Sequence, residues 1–153
     1  MYMNSNKNIS NEDKLYSKIL LLSRNKLFYT KFYLKDTFQN RINLIFIHIL
    51  LLFIKINKNK NNTLYKENSQ KMFDFVFNKI EQNMREIGSS DTTVNKNMKY
   101  LIKSFYNILL TCETFNQKSP DDKKMFLIKY LDQNNFKNNT DNVSLIDYFD
   151  KYQ

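Results

Sequence analysis

Side chains that could perform nucleophilic catalysis are few in this 153-residue chain, which has one cysteine and one histidine. Cys112 and His48 could form a dyad in which the imidazole removes the thiol proton. Each of them, however, lies in an apolar stretch with helical spacing, where a small buried thiol or an internally hydrogen-bonded imidazole is the usual interpretation. We therefore expect no dyad and a buried Cys112, while His48 is expected either to find a hydrogen-bond partner inside the core or to contact a client or cofactor.

Metal, cofactor and phosphate sites lack their usual residues as well. Zinc sites and iron–sulfur clusters need several cysteines or histidines, and a di-metal bundle needs Glu-x-x-His pairs, which the sequence does not contain. A phosphate-binding loop needs several glycines, whereas Gly88 is the only one here. The acidic pairs Glu12-Asp13 and Asp121-Asp122 stand where helices are expected to begin, and the helix dipole explains them. The sequence predicts a protein that is not an enzyme and holds no metal or cofactor.

Charged residues cluster in one segment, which contains Arg85, Glu86, Gly88, Asp91 and Lys96. The ends of two helices explain part of this cluster: Gly88 suits the position just after a helix, and Asp91 suits the N-cap of the next helix. Lys96 is less easily explained, because a cation near a helix N-terminus is mildly disfavoured. We expect Lys96 either to pair with Glu86 or Asp91 or to contact a partner molecule.

The elements that position these residues are predicted to be helices, since apolar residues recur at spacings of three and four and never alternate over a useful length. Asp36-Thr37-Phe38-Gln39 resembles a capping box and should begin a central helix over about residues 37–56. Its apolar stretch, Ile42–Ile56, is interrupted only by Asn43, His48 and Lys55. Fifteen residues rise about 22 Å, which is short of a hydrocarbon core of about 30 Å. The central helix is therefore expected to be buried in a bundle, with no transmembrane segment.

Other helices follow from caps and from apolar faces, with Ser10 as the first N-cap. The faces predicted for the core include Leu15, Ile19 and Leu22 in the first helix, a later helix ending at Ile87, and Met125 near the C-terminus. Residues 1–10 are expected to be a frayed polar segment, 57–62 a flexible Asn/Lys loop, and 134–142 a polar separator. The predicted fold is an all-α bundle of five to seven helices in one domain, residues 11–153.

The net charge of +9 favours an anionic partner, such as a nucleic acid or an anionic membrane surface. Of the 24 basic residues only three are arginine, and lysine is enriched together with Asn, Ile, Phe and Tyr while Ala is absent, as AT-rich codon usage would produce. The charge is therefore a weak indicator of nucleic-acid binding. A lysine-rich ribosome- or RNA-binding module and a peripheral membrane protein of unrelated role remain alternatives. Residues 1–7 have no apolar signal region, and one cysteine excludes an internal disulfide, so we expect a cytoplasmic location.

Several of these positions resemble the ubiquinol–cytochrome c chaperone family. The resemblance depends on a string Arg-Glu-x-Gly-x-x-Asp-x-x-Val-x-Lys at 85–96, in register with Phe105-Tyr106 and with an upstream histidine, His48. It covers about residues 14–112 and includes further matches at Leu15-Tyr16, Phe28-Tyr29, Asp36-Thr37, Arg41, Gln70, Phe73-Asp74, Phe77, Met84 and Met98-Lys99. Two departures are Ser89-Ser90, where the family tends to have a small apolar residue and glycine, and Asn107-Ile108, where it usually has Gly-Arg.

The resemblance implies a non-catalytic chaperone that binds newly made cytochrome b and assists assembly of the bc1 complex. It also implies work at the cytoplasmic face of a respiratory membrane, with the ribosome or a small partner subunit nearby, and lysine-rich surfaces would favour contact with anionic lipid. For the client-binding surface the predicted residues are Arg85, Glu86, Asp91, Lys96 and Tyr106. The core polar residues of interest are His48, Arg41 and Gln70.

Overall fold

A computed structural model describes residues 9–58, 62–133 and 139–152. These residues contain no strand beyond one isolated bridge between Leu34 and Gln133, so the all-α prediction is confirmed. The helices are α1 (Asn11–Ser23), α2 (Leu27–Thr30), α3 (Phe38–Asn57), α4 (Asn62–Glu86), α5 (Asp91–Cys112), α6 (Pro120–Tyr130) and α7 (Asn139–Asp150), with a short 3₁₀ turn at Phe115–Gln117.

The centre of the bundle is α3, as predicted. Nine consecutive residues, Ile42–Leu50, are each no more than 6% exposed. They pack against α1, α4 and α5, and one hydrophobic cluster joins them to residues of every other helix. Within the described ranges α3 is also the one helix long and apolar enough to cross a membrane, a property that buried core helices share. Here most of its apolar surface is covered by protein.

Helix starts and stops follow local capping, with two shifts from the predicted residues. Thr37, and not Asp36, is the N-cap of α3, since its side chain accepts a bond from the Asn40 amide. Ser90, and not Asp91, caps α5 through the Thr93 amide. Both shifts are by one residue, because hydroxyl and carboxylate side chains at adjacent positions compete for the same role. Gly88 has φ +95° and ends α4 in the left-handed conformation, as predicted.

Some predicted core residues are exposed. Leu22, Ile87 and Met125 are 37%, 78% and 66% exposed. In α1 the buried residues are Tyr16, Ile19 and Ser23, so Ser23 and not Leu22 continues the buried face. Ile87 follows the last residue of α4, and although its amide still donates to the Asn83 carbonyl oxygen at 3.1 Å, helical spacing does not ensure burial at the end of a helix. The polar separator predicted at 134–142 is also shorter than expected, because α7 begins at Asn139.

Two predicted flexible segments fall mainly on residues that the structure does not describe. Residues 1–8 of the predicted frayed segment lie outside the described residues, and Ser10 already caps α1. The predicted loop at 57–62 is too long at both ends, since Asn57 ends α3 and Asn62 begins α4. Residues 59–61 lie outside the described residues. Flexibility of both segments stays a prediction.

A buried polar clamp, which the sequence did not reveal, joins the end of α6 to the segment before α3. The Asn40 side-chain amide donates to the Lys35 and Asp132 carbonyl oxygens, both at 2.7 Å, and its oxygen accepts from the Asp132 amide at 2.8 Å. Beside it, the Asn43 amide donates to the Tyr130 carbonyl at 2.6 Å. These bonds hold the two segments in register over a sequence separation of about 90 residues.

Candidate functional site

His48 is a core residue whose two ring nitrogens both have partners. Nδ1 lies 2.6 Å from the Leu44 carbonyl oxygen, and Nε2 lies 2.7 Å from the Tyr148 hydroxyl. A carbonyl can only accept, so we assign the proton to Nδ1, and Nε2 accepts from the tyrosine. Burial among aromatic rings, including Phe28 and Phe149, lowers the pKa of His48 to about 4. The imidazole is therefore neutral near pH 7 and ties α3 to α7.

Cys112 does not form a dyad with this histidine. Its side chain is buried, and burial raises the pKa of the thiol to about 12, so the nucleophilic thiolate is not populated near pH 7. Both nitrogens of His48 are occupied by Leu44 and Tyr148 and neither is available as a base. Among the described residues no three metal-ligating side chains lie close enough to hold an ion.

The corner between α4 and α5 holds an exposed charge network centred on Arg85. Its guanidinium donates to Glu81 at 2.9 Å and forms a short ion pair with Asp91. Glu86 accepts from Gln82 at 3.1 Å. Asp91 thus pairs with Arg85 and not with Lys96, which forms no ion pair with any residue in the described part of the chain. The network braces the corner, although exposed pairs of this kind contribute little to stability.

A groove of about 610 Å³ lies between α1, α3 and the end of α4. We call it the α1/α4 groove. Its apolar lining includes Tyr16, Leu20, Ile42 and Ile45, and two further apolar residues in the lining, Phe38 and Ile87, are 49% and 78% exposed. Exposed large apolar residues that converge on one concavity are typical of a protein-binding site.

Polar groups of the same groove could orient an occupant. Arg24, Arg41 and Glu86 line it, and Arg41 is held by a two-pronged bond to Asp36 at 2.6 and 2.9 Å. The Ser23 hydroxyl, also in the lining, is buried and has no hydrogen-bond partner in the structure as described. A buried hydroxyl without a partner is costly, and an occupant with a polar group could satisfy it.

A second surface runs along the exposed side of α5, and we call it the cationic face: Lys96, Lys99, Tyr100, Lys103, Tyr106 and Leu110. At 100° per residue these six side chains fall within an arc of about 120°, opposite the buried residues of α5. No acidic residue occurs between Asp91 and Glu113. None of the three lysines forms an ion pair with a described residue, whereas Tyr106 packs against Phe73 with ring centroids 5.9 Å apart.

The residues predicted for one client surface therefore belong to three places. Glu86 lies in the α1/α4 groove, Arg85 and Asp91 form the corner network, and Lys96 and Tyr106 belong to the cationic face. Of the three polar residues expected in the core, only His48 is buried. The expectation of burial was wrong for Arg41, which lies exposed in the groove lining, and for Gln70, which is exposed and donates to Asp74 at 2.9 Å.

Sequence reasoning missed the apolar part of the groove and most of the cationic face. Ile87 was assigned to the core on spacing, although its place directly before the helix-ending Gly88 signals that α4 stops there. Lys99 matches the family but was given no role, and Tyr100, Lys103 and Leu110 were not predicted. The available signal was the acid-free stretch from 92 to 112, with lysines at spacings of three and four.

Comparisons with known proteins agree with this architecture. Residues 30–148 match the family described as ubiquinol-cytochrome C chaperone. A similar fold is found in the crystal structure of the Cbp3 homolog from Brucella abortus, with a TM-score of 0.73 and 22% identity, over 90% of this chain and 75% of that one. At that identity the likeness shows the fold alone. No curated protein sequence matches the chain.

Proposed function

This chain belongs to the ubiquinol–cytochrome c chaperone family, and from that premise we propose that it binds newly made cytochrome b and assists assembly of the bc1 complex without catalysing a reaction. The family supports the assembly role, and the α1/α4 groove is the observation that favours binding to an apolar client. We place this activity at the cytoplasmic face of a respiratory membrane. A small partner subunit and the ribosome, which the family resemblance implies, stay predictions.

The groove suits an apolar helix or loop of a membrane protein that has not yet reached its final partners. Burial of apolar surface contributes about 25 cal/mol per Å², so Phe38 and Ile87 would each contribute on the order of 1 kcal/mol when an occupant covers them. Helices commonly bind by placing an apolar face in such a groove. Arg41 and Glu86 in the lining are then available to polar groups of the client, and so is the buried Ser23 hydroxyl.

Deletion of the gene tests the cellular role. We expect loss of spectroscopically detected cytochrome b and of assembled bc1 complex, because unshielded apolar subunits aggregate or are degraded. Total membrane protein and an unrelated respiratory complex serve as controls. Normal levels of both cytochrome b and the assembled complex in the deletion strain would contradict the proposed function.

The double variant Phe38→Ser/Ile87→Ser tests the groove itself. Both side chains are already about half or more exposed, so we expect little change in thermal stability but a loss of client capture of about 30-fold, from about 2 kcal/mol of lost apolar burial. Crosslinking to cytochrome b in respiring cells, followed by quantitative recovery, measures the change.

Met125→Ser is the matched control, since Met125 is 66% exposed and does not line the groove. It should leave capture within about twofold of the unmodified chain, as a surface substitution away from the site does. If the double variant and the control lose client capture equally, the groove is not the client site, even if the deletion phenotype is as expected.

A further inference from the structure

The cationic face on α5 is separate from the groove that the proposed function uses. The two surfaces share no residue, because the groove is lined by residues at positions 13–45 and 79–87 and the cationic face begins at Lys96. Three exposed lysines with no ion-pair partner among the described residues, two half-exposed tyrosines and a leucine that is 65% exposed form one stripe about 21 Å long. This composition indicates a binding surface for a partner other than the client in the groove.

We propose that the cationic face docks on the surface of an anionic lipid bilayer. Lysines near such a surface each contribute about 1 kcal/mol of attraction, and their aliphatic stems can lie along the apolar boundary while the ammonium groups reach the headgroups. Tyrosine is enriched at the same depth because its ring is apolar and its hydroxyl polar. Leu110, at the end of the stripe, would insert into the acyl boundary.

The order of side chains along the stripe fits a bilayer better than a nucleic acid. Lys96, Lys99 and Lys103 occupy its first half, and Tyr106 and Leu110 its second half, so one end is basic and the other amphipathic. The face holds no arginine, which is the usual bidentate reader of phosphates and bases.

A lysine on the neighbouring surface strengthens the positive potential beside this face. Tyr100, Lys103 and Asn107 also line a cavity of about 710 Å³ against α3 and α6, where Lys129 contributes a further cation. The Lys129 ammonium lies 5.3 Å from the ring centre of Tyr130. Asp132, also in that lining, is paired with Lys35 at 2.8 Å, so its charge is largely offset.

Sedimentation of the full chain with lipid vesicles tests the proposal. The probes are vesicles of phosphatidylcholine with about 30% phosphatidylglycerol, which imitate an anionic surface, and vesicles of phosphatidylcholine alone. We expect binding to the anionic vesicles at about 0.1 M salt that weakens as the Debye length shortens. The triple variant Lys96→Gln/Lys99→Gln/Lys103→Gln should lower the partition coefficient on the order of 100-fold.

A charge-matched control distinguishes the effect of the cationic face from the effect of net charge. Lys18, Lys66 and Lys71 are exposed on α1 and α4, and their triple replacement by glutamine removes the same charge and should change binding by less than about threefold. Tyr106→Ser/Leu110→Ser should remove the fraction of binding that resists high salt, because that fraction depends on apolar insertion. Helical circular dichroism should be unchanged in all three variants.

Several results would overturn the proposal. Absence of binding of the unmodified chain to anionic vesicles is one, and an equal loss in both lysine variants is another, since that would make the effect one of net charge. If the variant Lys96→Gln/Lys99→Gln/Lys103→Gln still binds vesicles but no longer binds a labelled single-stranded RNA, the cationic face binds RNA and the proposal is wrong. The groove variant Phe38→Ser/Ile87→Ser should bind vesicles normally, so failure of client capture and failure of membrane docking are distinguishable.

Discussion

Replacement of Asn40 by alanine is expected to lower the free energy of unfolding by about 4 kcal/mol. Its side chain is 1% exposed and makes three hydrogen bonds, to the Lys35 carbonyl and to both backbone groups of Asp132. A net hydrogen bond contributes about 1 kcal/mol, and each buried group left without a partner costs about 1–3 kcal/mol more. Three bonds would be lost, but only the Asp132 amide would be left without a partner, because the Asp132 and Lys35 carbonyl oxygens keep the backbone amides of Lys35 and Thr37 as donors.

The isosteric variant Asn40→Asp sharpens this test. The introduced carboxylate keeps an acceptor for the Asp132 amide but replaces both donated bonds with repulsion from two carbonyl oxygens, so near pH 7 we expect at least the loss seen with alanine. Asn97→Ala, on the exposed side of α5, is the control and should be neutral within about 0.5 kcal/mol. Chemical denaturation measures all three. A loss below about 1 kcal/mol for Asn40→Ala would show that the clamp is not important for stability.

This clamp marks the limit of what the sequence could predict. The burial of α3 followed from a nearly unbroken apolar stretch, and Ser10 and Gly88 fixed a helix start and a helix stop through local capping chemistry. Asn40 and Asn43 gave no such signal, because asparagine is abundant throughout this chain and their partners lie about 90 residues away. Long-range polar contacts depend on tertiary packing, which local periodicity does not encode.

In the candidate site, too, local features could be predicted from the sequence and contacts between helices could not. The sequence singled out Glu86 and Lys96 as neighbours at one corner, but α5 turns Lys96 onto another face and Asp91 pairs with Arg85. Positions ten residues apart in α5, such as Lys96 and Tyr106, do share one face, because helical geometry relates them directly. Whether two helices bring their residues together depends on how they pack, and only the structure supplies that.

The two surfaces together suggest how the chain could work on a membrane client. A chaperone held at the bilayer by the cationic face would meet an emerging apolar segment at the lipid surface, and the α1/α4 groove would cover that segment. Docking confines both partners to a thin layer, which raises their effective concentration without a new contact. Loss of the cationic face should therefore reduce client capture in cells more than it reduces binding of a soluble client peptide.

The largest pH effect on the bundle is expected from His48. Its pKa falls from 6.5 to about 4 on folding because burial penalises the charged ring. Between these two values the unfolded chain binds a proton that the folded chain does not. Stability is therefore unaffected above about pH 6.5 and is lost as the pH falls toward 4, by about 3 kcal/mol in all.

His48→Phe isolates this contribution. Phenylalanine keeps an aromatic ring beside Phe28 and Phe149, and the Tyr148 hydroxyl keeps Tyr152 as a partner at 3.1 Å. We expect the variant to be somewhat less stable at pH 7 but to lose much less stability down to pH 4.5, because no buried imidazole remains to be protonated. Urea denaturation at intervals of half a pH unit measures both slopes. Equal slopes for the variant and the unmodified chain would mean that His48 is not the group through which acid loosens the contact between α3 and α7.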